Sequence, residues 1–232
     1  MFLYKKIWCF FIAIVLCLLF CFLHIGTITV YNVSNTYLNK RKTIIVDAGH
    51  GGFDGGAMVN GVFEKDINLK IALNLKDCLS MIGYDIILTR KNNDAINTKG
   101  TNIRTKKISD MQNRLNIMKN YPEALFVSIH LNIYENSAIN GAQVFYSNND
   151  LLSNNLARSI QRSIKNNLQK NNNRQIKMAQ KNVYLLYNAP IPACIVECGF
   201  LSNSLDFKNL TNENYQKKMA ISIFCGIINK EL

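Results

Sequence analysis

Hydrophobic positions along the chain fall into three regimes. From Ile7 to Leu23 they run without a break, and the apolar character continues through His24 and Gly26 to Val30. A helix over Ile7–Val30 would be about 36 Å long, enough to cross a bilayer. Tyr31–Lys42 is polar and reads as a linker. From Thr43 onward, short apolar runs alternate with stripes of helical period. Thr43–Val46 is β-branched, is stopped by glycines and reads as a buried strand. Ile67, Ile71, Leu75, Leu79 and Ile82 recur at helical spacing over Glu64–Ile82, and Gly83 suits the end of that helix. Tyr84–Thr89 reads as a strand and Lys91–Lys106 as a long polar loop. Ile108, Met111, Leu115 and Met118 line one face of a second helix closed by Tyr121-Pro122. Ala124–Ile129 and Gly141–Tyr146 read as strands, and Leu152, Leu156, Ile160, Ile164 and Leu168 make the longest helical stripe. Val183–Leu186 and Ala193–Val196 read as further strands, and Tyr215, Met219, Ile223 and Ile227 mark a terminal helix. This alternation predicts an α/β fold. It is a single three-layer domain over residues 43–232, with a mostly parallel central sheet and flanking helices, preceded by one N-terminal transmembrane helix within residues 1–30 and a linker over 31–42.

Charge orients that arrangement. Lys5 and Lys6 precede the apolar run and no further Lys or Arg occurs before Lys40, which puts the N-terminus in the cytoplasm and the domain outside it, at the cell membrane. A cleaved signal peptide is the rival reading, but the apolar core is long and no Ala-x-Ala site comes after it. Phe20 before Cys21 argues against a lipoprotein. The formal net charge of +12 suits an anionic partner such as cell wall or a membrane surface. The basic residues are scattered, with no aromatic platform among them, which argues against nucleic acid. Of seven cysteines, Cys9, Cys17 and Cys21 fall in the anchor. Cys78, Cys194, Cys198 and Cys225 are expected as buried thiols rather than disulfides, and no second pair joins Cys194 and Cys198 to make a structural zinc site.

The candidate chemistry sits at element ends. The Thr43–Val46 strand runs into Asp47-Ala48-Gly49-His50-Gly51-Gly52, where glycines flank a histidine. This is not a dinucleotide loop, because Asp54 stands where the third glycine belongs, and no Gly-Lys-Ser/Thr is present for a P-loop. His130 ends a second strand, Glu64 opens the first helix, and Glu197 closes a later strand. If those strands are parallel, all four side chains can meet at one sheet edge. His50, Glu64 and His130 supply the three N and O donors of a catalytic zinc with an open position. Glu197, unligated, would then act as general base and acid. Taken singly, His50 reads as a structural histidine, Glu64 as a helix-N-terminal acid and Glu197 as half of a salt bridge. The joint pattern favours the metal site.

The motifs carry a resemblance. The His50 loop, Glu64-Lys65-Asp66-Ile67-Asn68-Leu69, Ser128-Ile129-His130-Leu131-Asn132 and Val196-Glu197-Cys198-Gly199-Phe200-Leu201-Ser202-Asn203 resemble, in order, the three ligand segments and the catalytic-glutamate segment of the zinc-dependent N-acetylmuramoyl-L-alanine amidases of the type-3 catalytic domain. The resemblance runs from Thr43 to the C-terminus. It implies one catalytic Zn2+ on His50, Glu64 and His130, with Glu197 as the catalytic residue. The implied reaction is hydrolysis of the amide between the muramic acid lactyl group and L-Ala in peptidoglycan. Arg90, Arg114 and Asn132 are candidate substrate contacts by the same likeness. Lys119, Ala124 and Leu131 depart from residues usual in the family, which leaves substrate detail open. A short anchor, one catalytic domain and no wall-binding repeats resemble the CwlD-type sporulation amidases of endospore formers. That likeness implies a role in muramic-δ-lactam formation in the spore cortex, and the bare domain predicts an exported activator protein. The alternatives are a vegetative autolysin, another zinc hydrolase of wall amides, or a non-enzymatic wall-binding scaffold.

Overall fold

The computed structural model describes residues 14, 15, 17–20 and 43–229. The chain divides into two units, Met1–Arg41 and Lys42–Leu232. In the first unit the described residues are helical. The rest of the predicted anchor over Ile7–Val30, and the linker Tyr31–Lys42, lie outside the described residues. Among the described residues no helix is long and apolar enough to cross a membrane.

In the second unit, strand β1 (Thr43–Ala48) leads to a hairpin of β2 (Met58–Val59) and β3 (Val62–Phe63), turned at Asn60-Gly61. Helix α1 (Glu64–Met81), β4 (Asp85–Leu88), α2 (Ile103–Asn120), β5 (Leu125–Asn132) and β6 (Gln143–Tyr146) come next. The remaining elements are α3 (Leu151–Asn167), β7 (Lys177–Met178), α4 (Tyr184–Tyr187), β8 (Ala193–Phe200), α5 (Ser204–Leu210) and α6 (Glu213–Ile228). The main sheet has the order β4-β1-β5-β8-β6-β7. β4, β1, β5 and β8 are mutually parallel, whereas β6 runs antiparallel to β8 and pairs in parallel with β7.

Strand alternation divides the core in two. Ile44, Val46, Val127, Ile129, Cys194 and Val196 face a layer built by α1, α3 and α6 through residues such as Ile71, Ile160 and Ile223. Ile45, Phe126, Ala193 and Ile195 face the opposite way, onto Leu115 and Met118 of α2 and Leu185 and Leu186 of α4. The result is a three-layer α/β sandwich. The α2 side holds the chemistry, because Asp47, Ser128, His130 and Glu197 continue that face toward the carboxyl ends of the parallel strands.

Several local expectations change. Val183–Leu186 is not a strand: Tyr184–Tyr187 is a short helix. A brief apolar run is ambiguous between the two states, and here Leu185 and Leu186 are drawn under the sheet face as a plug. The added strand, Lys177–Met178, is exposed and has no apolar pattern to announce it. Helix α2 starts at Ile103, inside the predicted loop, on a capping box in which Asn102 accepts from the Thr105 N–H and the Thr105 hydroxyl accepts from the Asn102 N–H. Its inward face is also rotated. Leu115 and Met118 are buried, but Ile108 and Met111 are 49% and 40% exposed, and Ser109 and Arg114 point inward in their place. Among the described residues all cysteines are free; Cys194 and Cys198 are buried, while Cys78 and Cys225 are only partly so.

Candidate metal centre

Three parallel strands and one helix end build the site. His50 lies just beyond β1 on a loop that Gly51 and Asp54 close by mutual backbone hydrogen bonds of 2.9 and 3.0 Å. His50 itself adopts φ of 63°, a left-handed conformation unusual for a residue with a side chain. Its carbonyl accepts from Arg114 Nη2 at 2.9 Å. Its Nδ1 lies 2.9 Å from Asp54 Oδ2, which turns Nε2 toward Glu64 Oε1 at 3.2 Å. Glu64 opens α1 where an acid is favoured by the helix dipole, yet it is 3% exposed. Its Oε1 also takes His130 Nδ1 at 3.0 Å, the Leu131 N–H at 3.0 Å and Asn68 Nδ2 at 3.2 Å, and its Oε2 accepts from the Ala57 N–H. The two imidazoles meet edge to face, 5.0 Å between centroids.

One ligand atom from each of His50, Glu64 and His130 lies within 4.8 Å of the other two, close enough to share one cation. Glycine makes the convergence possible. A Cβ on Gly49 would strike the His130 ring, and one on Gly56 would stand 2.6 Å from Glu64 Oε2 and 2.7 Å from His50 Cδ2.

The electrostatics suit a cation. Burial would lower the His50 pKa, but hydrogen bonds to Asp54 and Glu64 outweigh it and raise it to about 9. Burial would raise Glu64 and Asp54, but their histidine partners, with Lys107 beside Asp54, hold both carboxyls well below the usual range. An imidazolium shared between two carboxylates occupies the place where a metal ion would put its own charge. The donor set therefore fits a divalent ion with N and O preference.

Glu197 stands beside this set. It is the Cα partner of His130 across β5–β8 and of Gln143 across β8–β6, so these three side chains lie in a row on one face. Its Oε2 is buried and has no hydrogen-bond partner among the described residues. Burial pushes its carboxyl up to about 7. A carboxyl with one buried, unpaired oxygen beside a candidate cation site is suited to holding and returning a proton.

Arg90 and Arg114 do not face a substrate, against the expectation for them. Arg90 is 3% exposed and donates to the carbonyls of Ala48, Asn92, Gly49 and Lys65. Arg114 is 2% exposed and donates to Asp47 Oδ1, Asp110 Oδ2 and the His50 carbonyl. Both are internal braces of the ligand loop. Asn132 ends β5, where its Oδ1 accepts from the Ile133 N–H at 2.8 Å.

Two supports of the site, Asp54 and Asp47, carry little signal in the sequence. Asp54 orients His50, and its only signal in sequence is its position four residues beyond that histidine. Asp47 accepts from Thr89, Ser128 and Arg114 in a buried cluster beneath the loop, and polar residues inside apolar strand runs were the available sign.

Comparison with known proteins agrees with this geometry. The family profile described as N-acetylmuramoyl-L-alanine amidase matches residues 44–229. The germination-specific N-acetylmuramoyl-L-alanine amidase of Bacillus subtilis is 35% identical over 188 residues, covering 81% of this chain and 78% of that protein. Among solved structures, the CwlD amidase from Clostridioides difficile, determined in complex with the GerS lipoprotein, is 41% identical with a TM-score of 0.78, covering 82% of this chain and 98% of that one. The amidase AmiC2 of Nostoc punctiforme is 28% identical with a TM-score of 0.67, covering 81% and 96%. The chain belongs to the N-acetylmuramoyl-L-alanine amidase family, and its activity is that of an amidase acting on peptidoglycan.

Proposed function

We propose that this amidase is zinc-dependent, that residues 43–232 form its catalytic domain, and that an N-terminal anchor holds it at the cell membrane with that domain outside the cytoplasm. The observation that carries the reading is the convergence of His50, Glu64 and His130 beside Glu197, a half-buried residue whose inner carboxyl oxygen is unpaired. His50 through Nε2, His130 through Nδ1 and Glu64 through a carboxylate oxygen would hold the ion. Bound zinc would lower the pKa of its water to about 7 and polarise the amide carbonyl.

The chain's own residues do the rest. Asp54 fixes the His50 ring and tautomer, as carboxylates commonly do behind a ligating histidine. Arg114 and the Gly51–Asp54 closure hold the left-handed His50 backbone in place. Glu197 takes a proton from the attacking water and returns it to the departing L-Ala amine. One carboxyl serves both steps when its pKa lies near the working pH, and burial supplies that tuning.

The biological reading is muramic-δ-lactam formation in the spore cortex, with activation by an exported protein that favours the metal-bound form. It is supported by the germination-specific relative, and by a CwlD relative determined with a lipoprotein. Mass spectrometry of peptidoglycan digested by the purified zinc-loaded chain tests the chemistry. Intact stem peptides beginning with free L-Ala are expected; products cut within the peptide would contradict the assignment. Spores of a strain lacking the protein should contain no muramic-δ-lactam, and normal lactam there would point to a vegetative role.

A further inference from the structure

Three arginines lie around the site, and they differ in how far the protein uses them. Arg90 and Arg114 each place their guanidinium on three or more acceptors of the chain. Arg174 places one: its Nη2 donates to Gln143 Oε1 at 2.8 Å. Its Nε is buried with no partner among the described residues. Asp206 lies near, but its Oδ2 is committed to the N–H groups of Gly141 and Phe200, at 2.8 and 2.9 Å, and no ion pair joins it to Arg174 among the described residues. Arg174 is nonetheless held in place. Its guanidinium carbon sits 4.8 Å from the centroid of the Phe200 ring, which supports one face of the group. Its backbone N–H is pinned by Asn172 Oδ1 at 2.9 Å. Gln143 is itself fixed by donating Nε2 to the Gln175 carbonyl at 2.7 Å, which presents its oxygen to the arginine.

The location gives this cation a use. Gln143 is the cross-strand partner of Glu197, and Glu197 is the partner of His130, so the row on this sheet face runs from the metal site through Glu197 to Gln143 and Arg174. One strand spacing and the Gln143 side chain put the guanidinium on the order of 10 Å from Glu197. Around the bond that an amidase of this family cuts, the sugars are neutral and the peptide carries the carboxylates. The residue next to the released L-Ala lies within about 7 Å of the cut along an extended peptide.

We propose that Arg174, presented by Gln143 and Phe200, is a carboxylate-binding subsite that reads the α-carboxylate of the stem-peptide residue next to L-Ala and so sets the peptide's direction across the site. This rests on the amidase reading, and it goes further by naming a specificity determinant that the metal chemistry does not require.

The test uses the full zinc-loaded chain and paired muramoyl peptides that differ only in carrying a free α-carboxylate or a carboxamide on the second residue. The wild type should favour the carboxylate by at least about tenfold in kcat/KM, the scale of one charge-assisted contact. Arg174→Met should erase that preference, and Arg174→Lys should restore part of it. Calorimetry with the released peptides, acid against amide, gives the same comparison without turnover. A wild type that cleaves neither muropeptide would count against the amidase reading, while acid-selective binding lost in Arg174→Met would still support the subsite. Equal handling of acid and amide by the wild type overturns the subsite whether or not the variants fold. So does an Arg174→Met variant that weakens both alike, which would make Arg174 a brace of its loop. A peptide whose only carboxylate lies two or more residues further on should bind like the amide; binding like the acid would overturn the assigned position.

Discussion

Removing the Arg114 guanidinium should cost the protein both stability and metal binding. Arg114 is 2% exposed and its partner Asp47 is fully buried, joined at 3.1 Å. Burial acts to raise Asp47, but Arg114 and the hydroxyls of Ser128 and Thr89 outweigh it and hold the carboxyl below its usual range. Arg114→Met therefore leaves a charged carboxylate in the layer between α2 and the sheet. Breaking a buried pair from one side costs about 3–5 kcal/mol. For a domain of this size each kcal/mol lowers Tm by about 2–4 °C, so a drop of about 6–20 °C is expected. The assay is thermal unfolding of the full chain in chelator, so that bound metal does not contribute. Asp47→Asn in the Arg114→Met background removes the stranded charge while keeping an oxygen for Thr89, and should recover most of the loss. The same guanidinium holds the His50 carbonyl, so zinc affinity measured by chelator competition should fall as well. A loss below about 1 kcal/mol, or a second full loss on adding Asp47→Asn, would refute the reasoning.

Three other perturbations probe the site. Gly49→Ala should displace the His130 ring, so zinc content and activity should fall together while far-UV circular dichroism keeps its folded signal; normal zinc content would mean the ring has room that the structure does not show. Asp54→Ala releases the His50 ring and should weaken zinc binding about 10–100-fold in a competition titration, with unchanged affinity counting against the orienting role. The metal-free chain should lose stability as pH rises from about 5 to 9. Glu197, raised from 4.5 to about 7, and His50, raised from 6.5 to about 9, both bind more protons folded than unfolded. The His50 contribution is complete below 6.5 and is lost through about 9. Glu64 and Asp54, lowered, favour the folded state above 4.5 and 3.8 and lose that effect only as pH falls through their folded values. Denaturant titrations across that range, with zinc removed, should show the decline; a flat profile would contradict the charge assignments.

Period and spacing made part of this molecule legible in its sequence. The apolar runs at Thr43–Val46 and Ala124–Ile129 gave two parallel strands, and the glycines around His50 marked a turn that brings a side chain to the sheet edge. The four separated site residues could be joined only by assuming that their strands run in parallel, which β1, β5 and β8 do. The rotation of α2 was not legible, because an ion pair decides it. Arg114 reaching Asp47 outweighs a stripe of apolar residues that includes Ile108 and Met111. The tasks of Arg90 and Arg114 are hidden for the same reason: a motif gives a residue's place in the chain, but not the number of backbone carbonyls waiting for it. Arg174 and Gln143 carried no signal, since a polar loop and an antiparallel register bring them to Glu197.

The proposed division of labour has His50, Glu64 and His130 holding the metal and Glu197 moving the proton. Replacing Glu197 by Gln tests it most directly, because the shape is kept and the proton acceptor is removed. Zinc content and the rate of muropeptide cleavage should be measured on the same preparation of the full chain. Full zinc occupancy and a rate lower by about 10²–10⁴-fold are expected. Loss of zinc would make Glu197 a ligand, and near-normal turnover would place the proton transfer elsewhere; either result contradicts the assignment.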